Sequence, residues 1–393
     1  MLNTWTFMAY VLVSVFLFWV IPARFRPAFL VLISAGYFYC YYPKEVLFLL
    51  VLSMVVYLAG VIQDREVLPR TSLTIGTVIL LVGILAYFKY SGFILENLKP
   101  LLEPLLQTRL SIPKIFIPIG ISYFTFKMIH YIVDISRKQI ERHNLIMFLS
   151  YIFFYPILVS GPIERFQPFS KQLRESAGFQ RGYVMEGLPR IGSGLFKKIV
   201  LADTLGATAV LLQQPDLLAW QYWLASLAFT LQLYFDFSGY SDMAIGISRL
   251  FGIRVMENFN WPYLAANISD FWKRWHMSLT GWFRDYLFIP LGGSRGNLSM
   301  IIRNTLIVMA VTGLWHGAGW HFIFWGLYHA GGLIILRLYR KYLLPVLAQK
   351  TDFMSSAPAQ ALGVLLTFAF VNIGWIFFAC DMEQSIYVLK HLF

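Results

Sequence analysis

A succession of apolar runs, each cut off by a short basic or proline-bearing stretch, limits this chain more than any other feature. A membrane-spanning helix needs about 20 predominantly apolar residues. Runs of that character lie at 5–22, 27–42, 44–62, 73–93, 115–135, 145–160, 191–213, 218–250, 301–324, 321–337 and 359–380. They predict about ten or eleven membrane helices. Composition supports the same solvent. Only 13% of the 393 residues are charged and 58% are hydrophobic, against roughly 25% charged in a soluble domain. The expected fold is an all-α integral membrane protein, one polytopic domain over residues 1–393. The first run, Trp5 to Ile21, lacks a basic leader and a small-residue cleavage site, so it reads as a retained helix.

The formal net charge is +12. The basic residues flank apolar runs: Arg24 and Arg26, Arg137 with Lys138, Arg142, and Arg337, Arg340 and Lys341. This is the pattern that holds loops on the cytoplasmic side, and it argues against nucleic acid as a partner. Anionic lipid headgroups or an anionic cytosolic donor are secondary partners for such charge. Cys40 and Cys380 lie far apart in apolar aromatic stretches and read as buried thiols.

Three stretches are not simple spans. Residues 94–114 carry Pro100, Pro104 and Pro113 and read as a loop. Residues 161–190 begin Gly161-Pro162 and are rich in charge. Residues 251–300 interleave Trp261, Trp272, Trp275 and Trp282 with Lys273, Arg274, His276, Arg284, Asp285 and Arg295. They are too polar for a lipid-facing span and too aromatic for a free loop. Short re-entrant or interfacial helices lining a cavity are expected there, because irregular backbone at membrane depth needs protein or water around it.

His316 stands in Thr312-Gly313-Leu314-Trp315-His316-Gly317-Ala318-Gly319-Trp320, inside an apolar run. Ionisable groups at that depth are expensive and mark function, and the glycines admit a close approach. The structural alternative is a packing histidine beside a small-xxx-small helix contact at Gly313 and Gly317. His276, in Phe271-Trp272-Lys273-Arg274-Trp275-His276, reads equally as a polar group of the cavity or as part of an interfacial aromatic belt. His321 and His329 do not share the helical face of His316, and no cysteine or carboxylate pair completes a ligand set, so no metal is expected. Asp236 and Asp242 require cationic partners and read as structural anchors of a cavity wall before acid–base groups. Gly292-Gly293-Ser294-Arg295-Gly296 fits G-x-S-x-G, but no strand precedes it. It reads as a tight basic turn. A transporter should show two related halves. None is visible, which favours an intramembrane enzyme or an asymmetric scaffold over a transporter.

The order Phe271-Trp272-Lys273-Arg274-Trp275-His276-Met277-Ser278-Leu279, Trp282-Phe283-Arg284-Asp285-Tyr286 and Gly313-Leu314-Trp315-His316-Gly317 resembles the membrane-bound O-acyltransferases. So do Pro118 to Phe126 and Ser160 to Phe166. The resemblance runs over 80–393, with the core at 230–335. Within the family, Tyr234 to Gly246, Glu257-Asn258-Phe259-Asn260 and Leu291 to Gly296 resemble the alginate O-acetyltransferase type more than the D-alanyl transfer type acting on teichoic acids. The length is nearer the latter.

The resemblance implies a ring of helices around a thinned core, in a multi-pass protein of the bacterial cytoplasmic membrane. It implies that His316 is the base and that His276 is the second histidine of the site. Lys273, Arg274, Arg284 and Arg295 become candidates for a donor's phosphates, with Asp236, Asp242, Asp285, Trp275 and Trp315 around the substrates. The donor would be a cytosolic thioester, acetyl-CoA or an acyl carrier protein, used as substrate with no bound cofactor. The acceptor would be an exported polysaccharide, reached through an extracytoplasmic acyltransferase partner. The rival is a non-catalytic export scaffold or transporter.

Overall fold

The computed structural model describes residues 4–106, 108, 111, 115–140, 144–176, 178–348 and 356–392. Pro113 and Arg142 lie outside the described residues. No strand occurs among the described residues. The helices are α1 (Trp5–Val20), α2 (Arg26–Tyr41), α3 (Pro43–Asp64), α4 (Arg70–Leu106), α5 (Ile121–Ser136), α6 (Leu145–Phe153), α7 (Phe166–Arg174), α8 (Arg181–Leu195), α9 (Asp203–Ala209) and α10 (Ala219–Leu250). They continue with α11 (Ile268–Arg274), α12 (Met277–Phe283), α13 (Leu298–His316), α14 (Trp320–Leu338), α15 (Leu344–Ala348), α16 (Ala357–Ala379) and α17 (Met382–His391).

Among the described residues, five helices are long and apolar enough to cross a bilayer: α3, α4, α13, the continuous helix Trp320–Val346 that contains α14, and α16. Their outward faces carry large apolar side chains such as Val51, Leu58, Ile79 and Leu365 in the open. A chain dissolved in lipid can leave such groups uncovered, because no hydrophobic effect drives them inward there.

Several of the expected spans are shorter or broken. The run 145–160 is carried by nine-residue α6 and a 3-10 turn at Tyr155–Ile157. The run 191–213 is divided among the end of α8, a π segment at Phe196–Ala202, α9 and a 3-10 turn at Val210–Gln213. Conversely, α4 continues through Pro100 and Pro104, where a loop was expected. Those prolines are one turn apart, so their missing N–H groups fall on one face and the rest of the ladder survives. Cys380 is buried as expected, but Cys40 is exposed. It sits between exposed Tyr39 and Tyr41 on the outer side of α2.

Contacts gather the chain into two compact units. The first comprises Met1–Ser193 with Ser241–Met256, and the second Gly194–Tyr240 with Glu257–Phe393. The first is organised by buried polar groups. Lys127 on α5 is 1% exposed, and its ammonium donates to the carbonyls of Tyr151 (2.6 Å) and Ile152 (3.2 Å). The Phe166 N–H donates to His130 Nε2 (3.1 Å), and Tyr151 donates to the Glu164 carbonyl (2.9 Å). The Glu164 carboxylate accepts from the N–H groups of Arg165 (3.0 Å) and Met256 (2.7 Å). Burial raises the Glu164 pKa, and these two N–H donors oppose the rise. Lys127 thereby ties α5 to the end of α6 through charge-assisted bonds, and His130 ties α5 to the start of α7. Gly161 must be glycine there, since a Cβ would lie 2.5 Å from Ile157 Cα. Gly120, at φ +74°, packs beneath the same segment, where a Cβ would lie 3.1 Å from the Leu158 carbonyl oxygen. The two upstream motifs, Pro118–Phe126 and Ser160–Phe166, are therefore two sides of one packed joint.

The second unit is built on aromatic packing. Trp325 on α14 and Trp375 on α16 are fully buried and stack with centroids 5.4 Å apart. α13 and α14 pack backbone to backbone, because a Cβ on Gly313 or Gly326 would lie 2.1 Å from the carbonyl oxygens of Phe322 and Met309. Small residues permit that approach. Thr230 on α10 donates to Asn372 Oδ1 on α16 (2.6 Å), and Tyr263 donates to the Thr230 carbonyl (2.8 Å).

Candidate active site

The site is assembled within the second unit, where residues 257–283 form a short turn-and-helix arrangement. Asn267 caps α11 by accepting from the Asp270 N–H (3.0 Å). α11 stops after seven residues, and the chain turns sharply at His276, whose φ of +42° lies in the left-handed region. A non-glycine residue held there stores about 1–3 kcal/mol of backbone strain. Bonds on both sides hold it. The Asn260 N–H donates to the Arg274 carbonyl (3.0 Å), and the Met277 N–H donates to the Asn258 carbonyl (2.9 Å). Ser278 Oγ donates to the side-chain oxygen of Asn258 (2.6 Å). Asn258 is wholly buried. The Glu257–Asn260 segment is thus the clamp on the turn that aims His276. Its role is invisible locally, because its partners lie about 20 residues further on.

The His276 ring is 1% exposed and has no hydrogen-bond partner on either nitrogen among the described residues. It meets the Phe237 ring edge-on at 4.7 Å and the Trp315 ring at 6.0 Å. Burial, reinforced by the His316 imidazole, pushes its pKa well below the usual histidine value. The ring is therefore neutral at physiological pH, with one donor and one acceptor nitrogen to offer.

His316 is the last residue of α13, followed by extended Gly317. A Cβ on Gly317 would collide with the Phe322 ring at 2.0 Å, so glycine keeps the helix end open. The His316 ring is enclosed by Trp315 (4.8 Å), Trp325 (5.1 Å, perpendicular) and Phe378 (5.1 Å). Trp325 also contacts His329 at 4.9 Å. His329 is fully buried, and its two nitrogens have no hydrogen-bond partner among the described residues. Gly374 leaves it room, because a Cβ there would lie 3.0 Å from its Nε2. Trp325, Phe378, His329 and Asn258 belong to the site and are not apparent from motif spacing.

Ring contacts thus link His276, Trp315 and His316, and Trp275 joins the same aromatic body through Trp375 at 4.9 Å. The charged candidates are placed otherwise. Arg274 pairs with Asp270 at 3.0 Å, and Arg284 with Asp285 at 2.8 Å. Lys273 and Arg295 are exposed, Arg295 in a turn made by Gly292, Gly293 and Gly296 at positive φ. Asp236 pairs with Lys198 at 2.6 Å within the second unit. Asp242 belongs to the first unit and pairs with Arg190 at 2.7 Å. Both aspartates have the cationic partners that their depth demanded.

The family model for the membrane-bound O-acyltransferases matches residues 4–378. The "Probable alginate O-acetylase AlgI" of Azotobacter vinelandii is 37% identical over 380 residues, which cover 93% of this chain and 72% of that protein. The "Peptidoglycan O-acetyltransferase" of Helicobacter pylori is 34% identical over 398 residues, covering 93% and 73%. The "Teichoic acid D-alanyltransferase" of Bacillus subtilis is 29% identical over 343 residues, covering 78% and 83%. With a match across almost its whole length, a multi-pass helical build and a histidine pair set in aromatic walls, this chain belongs to the membrane-bound O-acyltransferase family.

Proposed function

We propose that the protein is an O-acetyltransferase of the bacterial cytoplasmic membrane. It moves acetyl from a cytosolic thioester, on coenzyme A or a carrier protein, to a hydroxyl of an exported envelope polysaccharide, with an extracytoplasmic partner completing delivery. The observation that carries this reading is the pair His276 and His316, joined through Trp315 in an aromatic enclosure. Similarity to proteins named for alginate and peptidoglycan O-acetylation supports acetyl over other acyl groups.

In this reading His316 takes the acceptor hydroxyl proton as the oxygen attacks the thioester carbonyl. The tetrahedral oxyanion accepts a hydrogen bond from neutral His276, a contribution of about 2–4 kcal/mol to such a transition state. The C–S bond then breaks, and the thiolate recovers the proton from His316. The ester, the thiol and neutral His316 remain. Trp325 and Phe378 exclude water, which would otherwise hydrolyse the thioester. Lys273 and Arg295, exposed, are available to a donor's phosphates.

A second reading, D-alanyl transfer to teichoic acid from a carrier-protein thioester, draws on the similarity to the Bacillus subtilis protein. Ester-linked groups released by mild alkali from the envelope of wild-type, deletion and His316→Ala strains separate the two. Acetate lost from both mutants supports the first reading, and the fraction losing it names the polymer. Loss of D-alanine replaces it with the second.

A further inference from the structure

One groove of the second unit lies away from the histidines, and it joins apolar walls to uncompensated positive charge. It has a volume of about 560 Å³. Ile302, Thr305 and Val308 of α13 form one wall, and Leu333 and Leu336 of α14 the other. Arg337, Arg340 and Lys341 line it as well.

Its shape follows from where the small residues stand. Gly313 against Phe322 and Gly326 against Met309 close the two helices together at one end and set their antiparallel register. Continued along the pair, that register brings Ile302 level with Leu333 and Leu298 level with Arg337. At this end Ile302, Thr305, Leu333 and Leu336 face the gap, and the helices leave a cleft instead of a seam. From Val308 to the level of Arg337 the cleft runs about 15 Å at the rise of an α-helix.

The charge gathers at the open end. Arg337, Arg340 and Lys341 are spaced three and four apart and share one helix face. A π segment at Tyr339–Leu343 carries two of them, and π turns recur at functional positions. Among the described residues no carboxylate pairs with any of the three. Arg337 stands about 25 Å along the helix from Trp320, close to the thickness of a bilayer's hydrocarbon core. Basic side chains at the end of an apolar span are the ones placed to meet headgroups, and the cleft runs back from them along the apolar part of the helix.

We propose that this groove binds one anionic phospholipid, with its phosphate held by Arg337, Arg340 and Lys341 and an acyl chain lying between α13 and α14. Charge complementarity selects an anionic head, and the apolar cleft selects a ligand with a chain. A free phosphate satisfies only the first demand and a neutral phospholipid only the second. The assignment is independent of which acyl group the enzyme transfers.

The test is native mass spectrometry of the purified full-length protein, offered equal amounts of phosphatidylglycerol and phosphatidylcholine. The wild type is expected to retain phosphatidylglycerol at least about tenfold over phosphatidylcholine. The triple variant Arg337→Gln, Arg340→Gln, Lys341→Gln should bring that ratio near one. Thr305→Trp, which fills the cleft and leaves the cations, should reduce retention of both lipids. Wild-type helix content and monodisperse elution show that each variant is folded. If either variant is misfolded, the milder Arg340→Gln and Thr305→Leu changes should move the same two readouts in the same directions. A wild-type ratio near one, or a folded triple variant with the wild-type ratio, overturns the proposal. So does displacement of the lipid by inorganic phosphate or by coenzyme A, which would make the groove a phosphate or a donor site.

Discussion

The two units bury ionisable groups in opposite ways. In the first, Lys127 holds two carbonyls, His130 accepts from the Phe166 N–H, and Glu164 accepts two backbone N–H groups. In the second, His276 and His329 are equally buried, yet neither ring nitrogen of either has a hydrogen-bond partner among the described residues. A buried polar group without a partner costs about 1–3 kcal/mol and persists in native proteins for a reason. Polar groups that are spent on the backbone hold a joint together. Polar groups left available, in an aromatic enclosure, are free to act on a substrate.

The sharpest break of this contrast comes from two substitutions of similar energetic size and opposite kind. His316→Ala should lower acyl transfer by about 10²- to 10⁴-fold, the range of a general base, and leave thermal stability within about 1 kcal/mol of wild type. Loss of thioester from solution reads the first quantity, and a detergent melting curve the second. Lys127→Met should do the reverse. Removing one partner of a buried charged network costs about 3–5 kcal/mol, so folded protein in the membrane should fall steeply while the surviving fraction keeps its turnover. A Lys127→Met protein that is stable but inactive would move the first unit into the chemistry.

Asn258→Ala sharpens the comparison inside the second unit. It removes the acceptor of the Ser278 bond beneath the left-handed His276 turn. A cost of about 1–2 kcal/mol in the transition state is expected, as a fall in kcat at nearly constant KM for the thioester. The pH response of stability should be smaller. The His276 pKa in the folded protein lies below its unfolded value of about 6.5. Below that pH the unfolded chain takes up a proton that the folded site refuses, so stability declines toward acid and is unaffected above neutrality. His276→Asn should flatten that part of the profile in melting temperatures taken from neutral to mildly acid pH.

How much of this was legible in the sequence depended on the range of the interactions. Membrane spans are local properties of composition, and α3, α13 and α16 appear where apolar runs predicted them. The turn at Gly292–Gly296 was legible for the same reason, since three glycines at positive φ make it. The helical course of α4 through Pro100 and Pro104 was not, because the leucines around the prolines outweigh two missing donors. His316 announced itself by its cost in an apolar run. Its connection to His276 came from resemblance to a family, since 40 residues separate them and no periodicity joins them. The roles of Asn258, Trp325 and His329 were opaque. Each is an ordinary polar or aromatic residue until a distant segment folds over it.

His316 as the base of acyl transfer is the central assignment. The direct test is thioester consumption by membranes holding equal amounts of folded wild-type and His316→Ala protein, with acceptor and partner present. Consumption in the variant should drop at least about a hundredfold, to the level of membranes without the protein. Consumption at the wild-type rate would contradict it.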